Sequence, residues 1–198
     1  RWMTSGASCT SAGMARALND YMAAVCRGEP RVIGTATVFP GEPDAVQILE
    51  DAFAAGLRGV KLHCHVQCFA PDDEALEPIY AACARHGKPL VMHAGREPRS
   101  ATYKVDPYAV CAVERTERVL RAHPGLKLCV PHLGADEFDG YEALLGRYDH
   151  LWLDTTMMGA AFFPLKVPLR RLVDARPDRI LYGTDFPNIP YAWDRELK

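Results

Sequence analysis

Short apolar runs that each end on a polar residue recur along the chain. The four clearest runs end at His63, His93, His132 and Asp185. Each run is too short and too apolar for an amphipathic helix, so each predicts a buried β-strand. The segments between the runs carry helical patterns, and alternating strands and helices predict a parallel sheet. Because sites in parallel α/β folds form at the carboxyl ends of strands, we expect the four polar residues to surround one site.

Six strands and five helices are predicted from these runs and their flanking turn residues. The strands cover 31–39, 59–63, a run that ends at 93, a run that ends near 132, 151–154, and a run that ends at 185. The helices cover 44–56, a segment from the loop at 71–73 to 87, 106–123, a short segment opened by a capping box of Asp139 and Glu142, and 165–175. Gly56 is a predicted C-terminal cap, and Asp106 followed by Pro107 is a predicted helix start.

The spacing of the strand ends predicts the fold class. Successive ends lie 22 to 39 residues apart, which is the length of a βα unit. Polar ends on four strands favour a closed barrel over an open sheet, since the carboxyl ends of barrel strands surround one mouth. A barrel needs eight strands, so the prediction is one (β/α)8 TIM barrel domain over 1–198, lacking the N-terminal strand or strands and the C-terminal end.

Composition excludes several functional classes. With 48% hydrophobic residues, 24% charged residues and a formal net charge of −2, the chain has no bias toward nucleic acid or anionic lipid. It contains no apolar run of the ~20 residues that span a bilayer and no signal-peptide pattern. Its seven cysteines lack paired spacing, which is typical of free thiols. We therefore expect a soluble cytoplasmic protein whose partner is a small molecule.

Several sequence blocks together resemble one known family. They read Asn19-Asp20, RVIG at 31–34, GVKLHCHV at 59–66, VMHA at 91–94, HPGLKLCVPHLG at 123–134 and GTDFP at 183–187. In order and spacing they resemble the amidohydrolase superfamily, and within it the branch of aminocarboxymuconate semialdehyde decarboxylase, resorcylate-type decarboxylases and small lactone or ester hydrolases. The resemblance implies a divalent-metal barrel with ligands on the first, fifth and eighth strands and an acid/base histidine on the sixth. It also implies a homodimer.

The resemblance assigns roles to three residues. His93 matches the fifth-strand metal ligand, His132 the catalytic histidine, and Asp185 the eighth-strand aspartate, which binds the metal and takes part in catalysis. Imidazole and carboxylate suit one divalent ion, Zn(II) in the first place and Mn(II) in the second, and a bound water with a pKa near ~7. The His-x-His motif of the family's first strand is absent, since none precedes the strand predicted at 31–39.

Four further residues are predicted to bind substrate, namely Lys61, His63, His65 and Arg96. His63 and His65 spell a His-x-His motif, and alternate strand residues face the same way, so a second interpretation makes them the missing metal ligands. They follow a run that resembles the fourth strand, which favours the substrate role. Lys61 matches the position where some relatives carry a carbamylated lysine between two metals. Arg96 could bind a carboxylate through two parallel hydrogen bonds.

Three functions remain open at this point. The first is hydrolysis of a small carbonyl or carboxylate compound by metal-activated water. The second is non-oxidative decarboxylation of an aromatic or dienoic acid at the same site. The third is a catalytically silent barrel, because the first-strand ligands are missing. A nucleotide-binding sheet is disfavoured, since no glycine-rich phosphate loop follows any predicted strand.

Overall fold

A six-stranded parallel sheet forms the centre of the molecule. The computed structural model describes residues 11–159, 166–188, 192 and 194. The strands are β1 (Thr35–Ala36), β2 (Gly59–His63), β3 (Leu90–His93), β4 (Leu128–Val130), β5 (Leu151–Asp154) and β6 (Ile180–Leu181). Each strand pairs in parallel with the next one in the chain, so the order never reverses. A doubly wound sheet reverses at its switch point, whereas a barrel does not, and the order therefore confirms the barrel class.

Helices connect the strands in the expected alternation. They are α1 (Ser11–Gly28), α2 (Ala45–Ala54), α3 (Cys64–Gln67), α4 (Glu77–Arg85), α5 (Pro107–Val110), α6 (Val113–Ala122), α7 (Phe138–Arg147) and α8 (Leu169–Ala175). Asp106 caps α5 by accepting a hydrogen bond from the Tyr108 backbone N at 3.0 Å, and Pro107 follows it as predicted. Gly56 directly follows the cap of α2 with a φ of +103°, which glycine adopts without strain. No helix in the described part of the chain is long and apolar enough to cross a membrane.

The register of β2 and β3 decides which side chains face the cavity described below. Leu62 pairs with Met92 and His63 with His93. Because strand residues alternate between faces, Leu62 and Met92 enter the hydrophobic core, while the two histidines lie side by side on the opposite face. Lys61 shares the face of His63, two residues earlier on the same strand.

The first strand is much shorter than the predicted 31–39. Only Thr35 and Ala36 pair with β2. Beyond them, the buried side chain of Asn19 on α1 forms the hydrogen bonds of the Thr37 backbone in place of a neighbouring strand. Asn19 Nδ2 donates to the Thr37 carbonyl at 2.9 Å, and Asn19 Oδ1 accepts from the Thr37 amide at 2.8 Å. The helix α1 itself was not predicted, because its buried residues are small or polar and give no apolar stripe.

Two helix predictions are wrong in detail. The segment 106–123 forms α5 and α6 instead of one helix, because the Val113 amide donates to Glu137 Oε2 at 2.9 Å at the start of α6. Asp139 and Glu142 do not form a capping box, since α7 begins at Phe138 and its N-cap has no side-chain hydrogen bond. Both carboxylates instead pair with Arg171 on α8. The helix predicted at 165–175 is observed as α8, with residue 165 outside the described residues.

Candidate metal and substrate site

The carboxyl ends of the strands enclose a cavity of about 620 Å³. Six of the seven predicted site residues line it, namely Lys61, His63, His93, Arg96, His132 and Asp185. His65 is the exception, because it is only 1% exposed and lies behind the cavity wall. Apolar side chains of Val91, Pro98, Met157 and Met158 complete the wall. The strand-end pattern therefore identifies residues that meet in space.

Four side chains from the β2–β3 side converge on one point, and we name them the His3Glu cluster: His63, His65, His93 and Glu97. One ligand atom from each lies within 4.8 Å of the others. His65 Nε2 is 3.2 Å from Glu97 Oε2, and His93 Nε2 is 3.1 Å from Glu97 Oε1. Within the described residues no other group of three or more such ligands is this compact. His132 and Asp185 line the same cavity outside the cluster.

Strand pairing and a tight strand-to-helix connection bring the histidines together. The paired rings of His63 and His93 stack with centroids 4.0 Å apart and planes at 9°. His65 lies on α3, which begins directly after β2, and its ring meets the His63 ring edge-on at 4.5 Å. The His-x-His pair thus converges through a turn into a helix, not along one extended strand.

Residues on later elements hold the cluster from outside. The Tyr103 hydroxyl donates a hydrogen bond to Glu97 Oε2, and the Tyr103 ring lies 4.5 Å from the His65 ring. The Cys111 Sγ is 3.8 Å from His65 Nδ1. Glu97 and Tyr103 were not predicted as site residues. Neither residue lies in a strand-end pattern that would have marked it in the sequence. The closeness of Glu97 to His93, four residues earlier, is the one sequence feature that pointed to it.

The electrostatics suit a cation. Burial lowers the pKa of His63 to about 2 and that of His93 to about 4, so both rings are neutral at pH 7 and can offer lone pairs. Burial alone would lower the pKa of His65, but Cys111 and Glu97 outweigh it and raise that pKa to about 9. Burial opposes ionisation of Glu97, yet its contacts with His65, His93 and Tyr103 keep its pKa below the usual range.

The His3Glu cluster also contains buried nitrogen atoms whose hydrogen bonding is incomplete, and a metal ion could complete it. In the described structure, the Nε2 atoms of His65 and His93 are buried and lack a hydrogen bond of good geometry despite their short distances to Glu97. Buried polar atoms without partners are rare in proteins and call for an explanation. Imidazole and carboxylate are ordinary ligands of Zn(II), and an ion that displaced the proton of His65 would satisfy them.

His132 is held by the backbone and by Asp154. It lies past the end of β4, in a turn where its φ is +58°. Its amide donates to Asp154 Oδ1 at 3.2 Å, and its Nδ1 lies 3.0 Å from the Thr156 carbonyl oxygen. Because a carbonyl only accepts, Nδ1 carries the proton and Nε2 keeps its lone pair. The strand-end position of Asp154 was visible in the sequence, although no role was predicted for it.

Asp185 lies four residues beyond the last residue of β6, so the predicted strand ending at 185 is wrong in extent. Its φ of +57° turns the chain, and Asn188 donates from its backbone N to the Asp185 carbonyl at 2.8 Å. Before it, Gly183 passes so close to the segment after β5 that a Cβ would lie 2.0 Å from Thr156 Oγ1. A glycine is therefore required where the chain leaves β6.

The two predicted substrate cations differ in their partners. Arg96 forms ion pairs with Glu137 at 2.8 Å and Asp136 at 3.5 Å, so internal carboxylates already neutralise it. Lys61 makes no ion pair with any described residue, and burial lowers its pKa while the charge of Asp154 partly offsets that effect. Of the two, Lys61 is the better placed to meet an anionic ligand in the cavity.

Known structures share the fold of this chain. An uncharacterised TIM-barrel protein, Bb4693 of Bordetella bronchiseptica, is 24% identical with a TM-score of 0.71 over 87% of this chain and 60% of its own. The 5-carboxyvanillate decarboxylase of Novosphingobium aromaticivorans, solved with manganese and 4-hydroxy-3-methoxy-5-nitrobenzoic acid, is 20% identical with a TM-score of 0.66 over 93% and 63%. The 2,6-dihydroxybenzoate decarboxylase of Rhizobium is 18% identical with a TM-score of 0.67 over 93% and 69%. At such identities the likeness shows the fold alone.

The family comparison extends over almost the whole sequence. The chain spans 60% of the length of Bb4693, and a comparison with curated proteins found no match. The family model described as amidohydrolase, however, matches residues 8–198. That match confirms the resemblance seen in the sequence blocks. The chain belongs to the amidohydrolase family.

Proposed function

We propose that the protein is a metal-dependent enzyme that decarboxylates a small carboxylated aromatic or dienoic acid without oxidation. One observation carries the proposal: a single cavity combines metal-type donors, the ammonium of Lys61 and apolar walls. The donors suit a divalent ion, the ammonium suits a carboxylate, and Met157 and Met158 suit a flat apolar ring. Two decarboxylases of aromatic acids among the similar structures support this reaction class.

His93 belongs to both candidate ligand sets for the ion. One set adds Asp185, as the family resemblance implies, and the other is the His3Glu cluster. When bound, a divalent ion supplies Lewis-acid stabilisation of negative oxygen atoms and lowers the pKa of water. Its identity, zinc or manganese, is part of the proposal.

The residues of the chain divide the remaining work. Lys61 binds the substrate carboxylate or a neighbouring oxygen, and the methionines pack against the substrate ring. The carbon–carbon bond to the carboxylate breaks, its electron pair stays on the substrate carbon, and carbon dioxide leaves. That carbon takes up a proton that comes from water, and His132 accepts this proton at Nε2 and delivers it within the cavity, with Asp185 as the alternative carrier.

Hydrolysis of a small carbonyl compound is the second candidate. The observation that favours it is the proton position on His132, since the unprotonated Nε2 is suited to accept a proton from water. The same cavity residues would serve, and the reactions differ in whether water attacks a carbonyl carbon or a proton reaches a substrate carbon.

A substrate panel separates the candidates. Protein loaded with zinc or manganese is assayed against hydroxybenzoic acids for carbon dioxide release and against lactones for ring opening. We expect carbon dioxide release that falls strongly in Lys61→Met and stays unchanged in Lys127→Met, a matched substitution of an exposed lysine. Lactone opening without decarboxylation would replace the proposal with hydrolysis. Inactivity of metal-loaded, folded protein on both panels would favour the silent barrel.

A further inference from the structure

We propose that Cys64 and Cys111 form a reversible disulfide that regulates the site beside them, and that the form with two free thiols is the active one. The inference adds regulation to the site, so its effect on catalysis rests on the proposed function. The formation of the disulfide does not depend on that function. The two residues lie far apart in the sequence, and their spacing does not indicate a pair.

The fold brings the two thiols into contact behind the wall of the cavity. Cys64 is the first residue of α3, Cys111 directly follows α5, and these two helices pack against each other. Both cysteines are free and fully buried. The Cys64 thiol donates a hydrogen bond to the Cys111 sulfur. Two sulfur atoms in such contact need only a small approach to reach the ~2.05 Å of a disulfide bond.

Three other cysteines provide comparisons within the same chain. Burial raises the pKa of Cys83 and that of Cys129 to about 12, so both thiols are poor nucleophiles and should stay reduced. Cys68 is exposed at the end of α3, where its sulfur contacts backbone carbonyl oxygens. It therefore offers a matched position for substitution, four residues after Cys64.

Both cysteines of the pair are connected to histidines of the site. Cys64 lies between His63 and His65 in the chain, so a displacement of its backbone moves both imidazoles. The Cys111 Sγ is 3.8 Å from His65 Nδ1. A disulfide sulfur has no hydrogen to donate and no negative charge, so oxidation weakens this contact. We therefore expect the oxidised form to hold His65 less firmly.

Hydrogen peroxide supplies a balanced route to the disulfide. One sulfur, as the thiolate, attacks a peroxide oxygen, the oxygen–oxygen bond breaks, and the departing hydroxide takes up the thiol proton as water. The second sulfur attacks the resulting sulfenic acid, whose hydroxyl group leaves with the second thiol proton as water. Two thiols and one peroxide thus give one disulfide and two waters, and a dithiol reverses the oxidation by exchange. His63, next to Cys64, lines the cavity, which gives peroxide a short path.

Peptide mapping after oxidation tests the inference. Reduced protein is treated with hydrogen peroxide, alkylated and digested with trypsin, which places Cys64 on the peptide 62–85 and Cys111 on the peptide 105–115. We expect these peptides to be linked in the wild type and in Cys68→Ser. They should be unlinked in Cys64→Ser and after treatment with dithiothreitol. Circular dichroism checks that each variant remains folded.

The effect of the disulfide on the site is measured on the same samples. We expect zinc affinity, measured by calorimetry on chelator-treated protein, and carbon dioxide release each to fall about tenfold on oxidation, because weakening an outer contact of a site histidine has effects of this size. Dithiothreitol should restore both. Cys68→Ser should respond like the wild type, and the double variant Cys64→Ser with Cys111→Ser should not respond.

Failure of the inference and failure of the proposed function give different results. A link that persists in Cys64→Ser and disappears in Cys68→Ser would overturn the inference, as would folded wild-type protein that forms no link. A link that leaves zinc affinity and carbon dioxide release unchanged would overturn the regulatory role. If reduced protein releases no carbon dioxide but the link forms and lowers zinc affinity, the proposed decarboxylation fails and redox control of the site stands.

Discussion

The two sides of the cavity are built in different ways. On the β2–β3 side, the side chains of the His3Glu cluster are buried or half-buried, and the centroids of the three imidazole rings lie 4.0 to 5.1 Å apart. On the β4–β6 side, His132 and Asp185 follow their strands by two and four residues and have positive φ angles. Their nearest fixed partners are backbone groups and Asp154.

The difference teaches how each side keeps its geometry. Strand register positions the β2–β3 side, since His63 and His93 are paired residues of neighbouring strands. Turn conformation positions the β4–β6 side, since there the chain has left the sheet. The first side is suited to hold a metal ion rigidly, and the second to present proton-transfer groups to the open cavity.

Removing the His132 imidazole should have the largest effect of the four changes, and it should affect catalysis without affecting metal binding. We expect His132→Asn to lower kcat of the proposed reaction by about 10²–10⁴-fold, which is the usual contribution of an acid/base group. Zinc content should stay unchanged, because His132 lies outside the cluster. Steady-state kinetics and metal analysis of the same sample check both statements. A variant that loses zinc as well would place His132 on the metal-binding side.

Gly134→Ala should destabilise the β4–β6 side, because the backbone conformation and the surroundings of Gly134 do not accommodate a Cβ. Gly134 has a φ of +71°, and a Cβ there would lie 2.1 Å from the Tyr141 ring. We expect the free energy of unfolding to fall by about 3 kcal/mol, from overpacking and the left-handed conformation together. Gly146→Ala is the control, since its Cβ would meet nothing within 4 Å and should be neutral or stabilising. Denaturant unfolding measures both. Equal effects would show that crowding at Gly134 is not the cause.

Asp154 should act through His132 as a positioning residue. Its Oδ1 accepts from the backbone amides of His132 at 3.2 Å and Thr156 at 3.0 Å. We expect Asp154→Ala to lower kcat about tenfold with little change in KM. Asp154→Asn should restore much of the loss, because its side-chain oxygen can accept the same two bonds. Failure of that rescue would mean that the negative charge of Asp154 matters more than its position.

Tyr103→Phe should have the smallest effect and should act on the opposite side. The substitution removes only the hydroxyl that donates to Glu97. We expect a loss of about 1 kcal/mol in the free energy of unfolding, typical of one hydrogen bond, and a zinc affinity lowered severalfold. Tyr21→Phe on an exposed position of α1 serves as the matched control. An unchanged zinc affinity would show that Glu97 needs no outside support.

Much of the fold could be predicted from local pattern. The bounds of β2 and β5 agree with the prediction, because both strands are short segments rich in apolar residues that end on a polar residue. The first strand could not be predicted in length, since its end depends on the contact of Asn19 with Thr37. That contact joins two elements, and no property of either segment alone reveals it.

The candidate site was predictable at strand ends and not in loops. Lys61, His63 and His93 lie where period-two alternation places them, and they line the cavity. Glu97 and Tyr103 were missed because the segment after β3 has no periodicity, and only the folded chain brings it over the histidines. The roles of these residues, the homodimer and the cellular location stay predictions.

The pairing of His63 with His93 also limits how this sequence can change over time. A single inserted or deleted residue between Lys88 and Met92 would shift the register of β3 by one and exchange its two faces. His93 would then point toward the core, and a core residue would face the cavity. The exposed segment 98–102 pairs with no strand and therefore has no register to keep. Homologous sequences should therefore vary in length after β3 and keep a constant length within it.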